Sequence, residues 1–179
     1  MKLLYFKEHL SCINYQINVN TGFVYYNLEK DSVSKIDNSA SPCILFLLDG
    51  EVSIDSGEYQ NVHIEKDKMV LIPQHVDNKI EVTYDAKCLL LFWNKDIRVC
   101  DKVYMNSLSS YKERKKEMCV LPIRDPLQAV LNSIVAYLYA KMQCKHMHLI
   151  KQQEVLLVLR GYYTKKELFT FFSSILGNT

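Results

Sequence analysis

The sequence predicts an α+β fold in which a β-barrel comes first and a tail of about three α-helices follows. Three observations carry this. All four prolines (Pro42, Pro73, Pro122, Pro126) and three of the five glycines lie within the first 126 residues. Over that stretch apolar residues come in short runs broken by Asp-Gly, Ser-Gly and Lys-Asp-Lys turns. From Leu127 to Thr179 there is no proline, glycine occurs only at Gly161 and Gly177, and apolar residues recur at helical steps. The change of texture divides the chain into a barrel, residues 1–121, and a helical region, residues 122–179.

Cys12 to Val19 alternates weakly, and Gly22 breaks it before Phe23-Val24-Tyr25-Tyr26. The sharpest local signal is Cys43-Ile44-Leu45-Phe46-Leu47-Leu48, then Asp49-Gly50, then Glu51-Val52-Ser53-Ile54-Asp55. Asp-Gly between two strand-like runs predicts a two-residue hairpin turn there. Lys66-Asp67-Lys68 predicts another turn, before Met69-Val70-Leu71-Ile72-Pro73. Lys79 to Val82 and Lys87 to Trp93 read as two further strands, giving roughly eight at spacings of about ten residues, as in a sandwich or closed barrel. Cys88 to Trp93 is apolar on both faces, which predicts a strand buried on both sides. Lys112 to Glu117 is a mixed charge run and reads as a solvated helix face or loop.

In the tail, Asp125-Pro126 predicts a helix start, with an acid at the N-cap and proline where its missing N–H is harmless. Leu127, Val130, Leu131, Ile134, Val135, Leu138 and Met142 form one apolar stripe on a helix of about five turns. A second helix carries Leu149, Leu156 and Leu159 and ends near Gly161. A third opens at Thr164, with Glu167 completing a capping box, and carries Leu168, Phe169, Phe171, Phe172, Ile175 and Leu176.

Composition narrows the function classes. Apolar residues make up 49% and charged residues 23% of the 179, an ordinary balance for a packed soluble protein. A formal charge of +2 is too small to argue for nucleic acid by itself. No apolar run approaches the roughly 18 residues of a membrane span, so no membrane contact is expected. The six cysteines include no CxxC, and charge interrupts the N-terminus early, which together predict free thiols and a cytoplasmic setting.

Metal and catalytic chemistry find little support. His63-Ile64-Glu65 and His75 are isolated, where a metal needs three or four converging donors. Cys144-x-His146-x-His148 offers a possible pair on one helix face without a fourth ligand, and reads instead as a cap near a helix C-terminus. No nucleophile elbow, phosphate loop or paired-carboxylate arrangement stands out. Neither metal, nor cofactor, nor catalytic residue is therefore expected.

The Asp49-Gly50 hairpin followed by Lys66-Asp67-Lys68-Met69-Val70-Leu71-Ile72-Pro73 resembles the cupin-like barrel of jelly-roll type, without that fold's His-x-His metal motif. The tail carries a more specific resemblance. Pro122-Ile123-Arg124-Asp125-Pro126, Cys144-Lys145-His146-Met147-His148, Lys151-Gln152-Gln153-Glu154, Leu159-Arg160-Gly161-Tyr162-Tyr163 and Lys166 to Phe172 are similar to a segment of AraC-family transcription regulators. In that family the segment links a cupin-like sensor to a pair of helix-turn-helix units. The seven residues after Phe172 hold no such reader, so an excised regulatory region is expected.

The resemblance implies a small-molecule effector, a sugar or other metabolite, in the barrel. Tyr15, Phe23, Tyr25 and Trp93 are the candidate pocket residues, with filling of the barrel core as the plain alternative for Trp93. It implies a homodimer through part of the Leu131, Ile134, Leu138 stripe. Tyr162, Tyr163, Phe171 and Phe172 are candidates for docking a DNA reader, the only route to DNA; a helix–helix core explains them as well. Two other readings stand beside it: a metal-dependent cupin enzyme, and a freestanding dimeric interaction protein with a filled barrel.

Overall fold

The structure, a computed structural model, describes residues 4–11, 21–93 and 118–176. Among them the strands are β1 (Gly22–Leu28), β2 (Val33–Ser34), β3 (Cys43–Ser56), β4 (Tyr59–Glu65), β5 (Lys68–Ile72), β6 (Asn78–Phe92) and β7 (Val120–Pro122). A short helix, α1 (Phe6–Ser11), precedes them, and α2 (Asp125–Tyr139), α3 (Lys145–Tyr162) and α4 (Lys165–Leu176) follow. All pairings are antiparallel, in the order β1-β6-β3-β5-β7, with β2 added to β6 and β4 to β3. This is the expected α+β fold, a cupin-like barrel with a helical tail.

Two long strands organise it. The first half of β3 lies between β5 and β6, with Cys43 opposite Ile72 and Phe92, and its second half lies between β4 and β6. β6 likewise pairs with β1 through its second half and with β2 near its first. The sequence predicts each of these as two strands; the structure has each as one bent strand.

The bend explains the difference. Asp49-Gly50 is not a hairpin turn but an irregularity inside β3, where the register against β6 shifts on either side of Asp49. Gly50 has φ +84°, and a Cβ there would lie 2.2 Å from the Asp85 carbonyl oxygen. An Asp-Gly pair supplies the same backbone freedom to a bulge as to a turn, so local sequence does not separate the two. The hairpins close one signal later: at Gly57-Glu58, with Gly57 at φ +59°, and at Lys66-Asp67, the turn expected there.

Alternation sorts the buried residues into two cores. Cys43, Leu45, Leu47, Val52, Ile54, Ile64, Val70, Ile72, Ile80, Cys88 and Leu90 fill the barrel. Their neighbours Ile44, Phe46, Met69, Leu71, Leu89 and Leu91 face outward and are covered by the three helices. The double-sided burial expected for Cys88 to Trp93 is thus present, and the barrel wall is shared with the helical layer.

The helices begin and end for identifiable reasons. The N-cap of α2 is Arg124, one residue before the Asp125 expected, and it makes no side-chain cap; Asp125 sits in the first turn, where its charge suits the helix dipole. The helix stops at Tyr139, earlier than the stripe through Met142 suggested, because Lys141 turns to φ +61° and its N–H bonds back to Leu138 O at 2.9 Å. Cys144 to His148 open α3 instead of closing a helix: Cys144 Sγ accepts the Met147 N–H at 3.4 Å. The capping box at α4 forms as expected, Glu167 N–H to Thr164 Oγ1 at 3.2 Å and Thr164 N–H to Glu167 Oε2 at 2.7 Å. No helix among the described residues is long and apolar enough to cross a membrane.

Gly50→Ala would combine a left-handed backbone with a collision against β6, an expected loss of about 2–5 kcal/mol. Urea unfolding of the two proteins checks it; an unchanged midpoint would show that the β3 bend does not need glycine.

Candidate functional site

Between β1, β2 and the inward face of β6 the barrel holds a cavity of about 280 Å³. Its walls are apolar: Leu28 from β1, Ile36 from the segment after β2, and Ile80, Cys88, Leu90 and Phe92 from β6. Its polar groups are Tyr26, Ser34, Lys35 and Asp37.

Side-chain amides hold this wall in place. Asn78, itself buried, receives the Ile36 N–H on Oδ1 at 2.8 Å and donates to Ile36 O at 2.9 Å, standing in for a strand partner. Asn38 donates to Pro73 O at 2.6 Å and Val76 O at 2.8 Å, tying the same segment to the β5–β6 loop.

The electrostatics of the cavity are quiet inside and mixed at the rim. Burial pushes the Cys88 thiol up to about 12, so it stays protonated and is a poor nucleophile. Burial, followed by the neighbouring Cys88 and Cys43, raises the Tyr26 phenol, which therefore remains a neutral donor. Asp37 is held below the usual carboxylate range by the Ser39 hydroxyl and amide, at 2.6 and 3.1 Å. Lys35 pairs with Asp77.

The residues expected at a pocket lie elsewhere. Phe23, Tyr25 and Trp93 have the opposite parity to Val24, Tyr26, Leu28 and Phe92, so they face the helices. Tyr25 packs on Tyr139 with ring centroids 5.3 Å apart, and Trp93 on Phe172 at 5.5 Å. Tyr15 and the Lys112–Glu117 run lie outside the described residues. A one-residue shift in a strand exchanges its faces, and where both faces are apolar the pattern does not say which is which. Nothing local distinguishes Tyr26 from Tyr25 or marks Cys88 as facing the cavity, so the sequence carried no signal for the pocket lining.

The dimer and docking candidates are also largely taken up inside the chain. Leu131 and Ile134 are fully buried, and Leu138 is nearly so, beneath the barrel. Tyr163, Phe171 and Phe172 are buried in the same core, whereas Tyr162 is 56% exposed. Tyr163 has a further part: its hydroxyl donates to Pro122 O at 2.7 Å and accepts the Arg124 N–H at 3.1 Å. The Arg124 guanidinium lies over the Tyr163 ring, bonds to Tyr162 O and reaches Glu167 at 2.6 Å. That joint locks β7, α3 and α4 together.

The histidines lie outside the cavity. His63 points outward from β4 between Glu51 and Glu65, 3.7 and 3.8 Å away, and His75 is on an exposed loop. Among the described residues no group of three or more potential donors is arranged to hold a metal ion. His148 is used structurally: its Nδ1 accepts the Phe23 N–H at 3.0 Å, its ring stacks on Phe23, and a Cβ on Gly22 would lie 2.7 Å from it.

No family model matches the chain, and no curated protein matches it. Among solved structures it is similar to an RmlC-like cupin family protein with a double-stranded β-helix fold from Methanocaldococcus jannaschii: 14% identity, TM-score 0.35, covering 38% of this chain and 64% of that one. A cupin-2 domain protein from Shewanella frigidimarina gives 16% identity and TM-score 0.34, covering 49% of this chain and 91% of its own. KdgF from Halomonas sp. gives 12% and 0.35, over 41% and 70%. The chain spans less than two thirds of the length of the archaeal protein.

Two outcomes test this geometry. Asn78→Ala strips the Ile36 amide of both partners, an expected loss of about 2–3 kcal/mol in denaturant unfolding. A surface-like change of under 0.5 kcal/mol would mean that the wall is held otherwise. Burial lowers the His148 pKa, so the unfolded chain takes up its proton first as pH falls. Stability from this group is therefore full above the ordinary imidazole range and declines as pH drops through it, until the native imidazole also protonates. The fall in Tm between pH 7.5 and 5.5 is expected to be shallower in His148→Gln than in the wild type.

Proposed function

We propose that this chain is the effector-sensing part of an AraC-like transcription regulator. The observation that carries the reading is the double use of β6. Cys88 and Leu90 line the cavity, while Leu89 and Leu91, between and beside them on the same strand, pack on the helices. A ligand in the cavity would press on a strand whose other side anchors the tail, so two arrangements of the helices could differ in ligand affinity. The tail residues from Pro122 to Phe172 are those that resemble the family's linking segment.

Such a sensor would need other surfaces for its partners than the buried stripe. With Leu131, Ile134 and Leu138 enclosed, pairing with a second copy would fall to the outer face of α3, where Ile150 is 63% and Leu157 57% exposed, one heptad apart. Tyr162 remains available to a DNA reader, and DNA contact would come from a helix-turn-helix part outside residues 1–179. The wall residues Cys88 and Tyr26 are uncharged and offer binding more readily than catalysis.

The test uses source cells. Chromatin immunoprecipitation with an antibody against this chain is expected to enrich discrete DNA segments. A small-molecule extract of the same cells is expected to raise the Tm of the purified chain by mass action. Enrichment no greater than a control antibody's would overturn the regulator reading, and an unmoved Tm would overturn the sensor.

A further inference from the structure

We infer that the cavity takes a small uncharged amphiphile, an aliphatic or aromatic body with one hydroxyl- or carbonyl-type end, and not a sugar. The inference rests on the sensor reading and names its ligand class.

Size is the first constraint. A space of about 280 Å³ admits roughly ten non-hydrogen atoms at the volume that a water molecule occupies. A pentose, an eight-carbon alcohol and an eight-carbon acid all meet it, so the lining decides.

Leu28, Ile36, Ile80, Leu90 and Phe92 supply no side-chain hydrogen-bonding atom, and the Cys88 thiol is a weak donor. A sugar presents hydroxyls on every side, and each hydroxyl buried against such a wall loses its water without a replacement. An alkyl or aryl body loses only unfavourable hydration there. One polar end can be served, because Tyr26 and Ser34 place neutral hydroxyls on the lining.

The charge of that end follows from the rim. The lining carries Lys35, which is paired with Asp77, and Asp37, one ammonium with two carboxylates. The Lys35 ammonium already has its carboxylate, and one Asp37 oxygen is occupied by Ser39. A carboxylate end would face Asp37 with the Lys35 charge already paired, and an ammonium end would face Lys35 with only the solvent-screened carboxylate of exposed Asp37 to offset it. An uncharged end meets neither repulsion.

Four probes of nearly equal size separate these chemistries: 1-octanol, octanoate, octylamine and arabinose, each at the same sub-millimolar concentration. Tm is read by circular dichroism for the wild-type chain and for Leu28→Trp, which fills the mouth from a half-buried position. Cys88→Phe is a second filling variant should the first fail to melt cooperatively. Alcohols also act on proteins at large, so the quantity read is the wild-type shift minus the variant shift.

Octanol is expected to give a difference of a few degrees, at least twice that of octanoate or octylamine, with none for arabinose. A larger shift with either charged probe overturns the uncharged end. A shift with arabinose that the filling variants abolish overturns the class while leaving the sensor standing. If none of the four probes moves the wild type, the class falls; the cell-extract melt then shows whether the sensor falls with it.

Discussion

The structure depends on one constraint: the first half of β3 and the second half of β6 are buried on both faces. Burying a leucine or isoleucine side chain contributes about 1.5–3 kcal/mol, and in these segments consecutive residues contribute to different cores. Leu45, Leu47, Cys88 and Leu90 close the barrel, while Ile44, Phe46, Leu89 and Leu91 require the helices over them. Removing the helical layer would expose a wide apolar sheet face. The tail is thus not an appendage energetically, and the barrel and tail share a wall.

That wall exists because β3 and β6 each cross the barrel without interruption. Gly50 lets β3 bend against Asp85 and Ala86 where any side chain would collide, and the strand goes on to serve a second set of partners. The Arg124, Tyr163 and Glu167 joint joins the last strand to the corner between α3 and α4. Glu167 is held below its ordinary range first by the Thr164 amide that caps α4, so one carboxylate closes the helix and anchors the arginine. The bend shapes the shared wall, and the joint fixes the tail to the last strand.

The cavity lies against the wall that barrel and tail share. Its floor is β6, the strand with helices on its far side, and its side wall is the Ile36 segment, clipped in place by Asn78 and Asn38. The apolar floor comes from residues that a barrel of this kind needs in any case. Its chemical character lies in the few exceptions, a phenol, a thiol and the charged rim.

The sequence by itself determined the order of β before α, the Lys66-Asp67 turn, the Thr164–Glu167 capping box and the double burial of residues 88–92. Each is a local pattern whose physics acts over a few residues: turn dihedrals, a cap, a two-sided apolar run. Tertiary structure alone decided which face of each strand looks inward. Phe23 and Tyr25 were equal in character to Val24 and Tyr26, and only pairing of β1 with β6 in a given register turned the first pair to the helices. It likewise decided that Asp49-Gly50 bends one strand and does not separate two, because the partner β6 continues past it. The stripe of Leu131, Ile134 and Leu138 was visible from spacing, but spacing shows only that a helix face is apolar. What covers that face is set by the barrel brought against it from a hundred residues away in the chain, a contact between distant segments that no local pattern encodes.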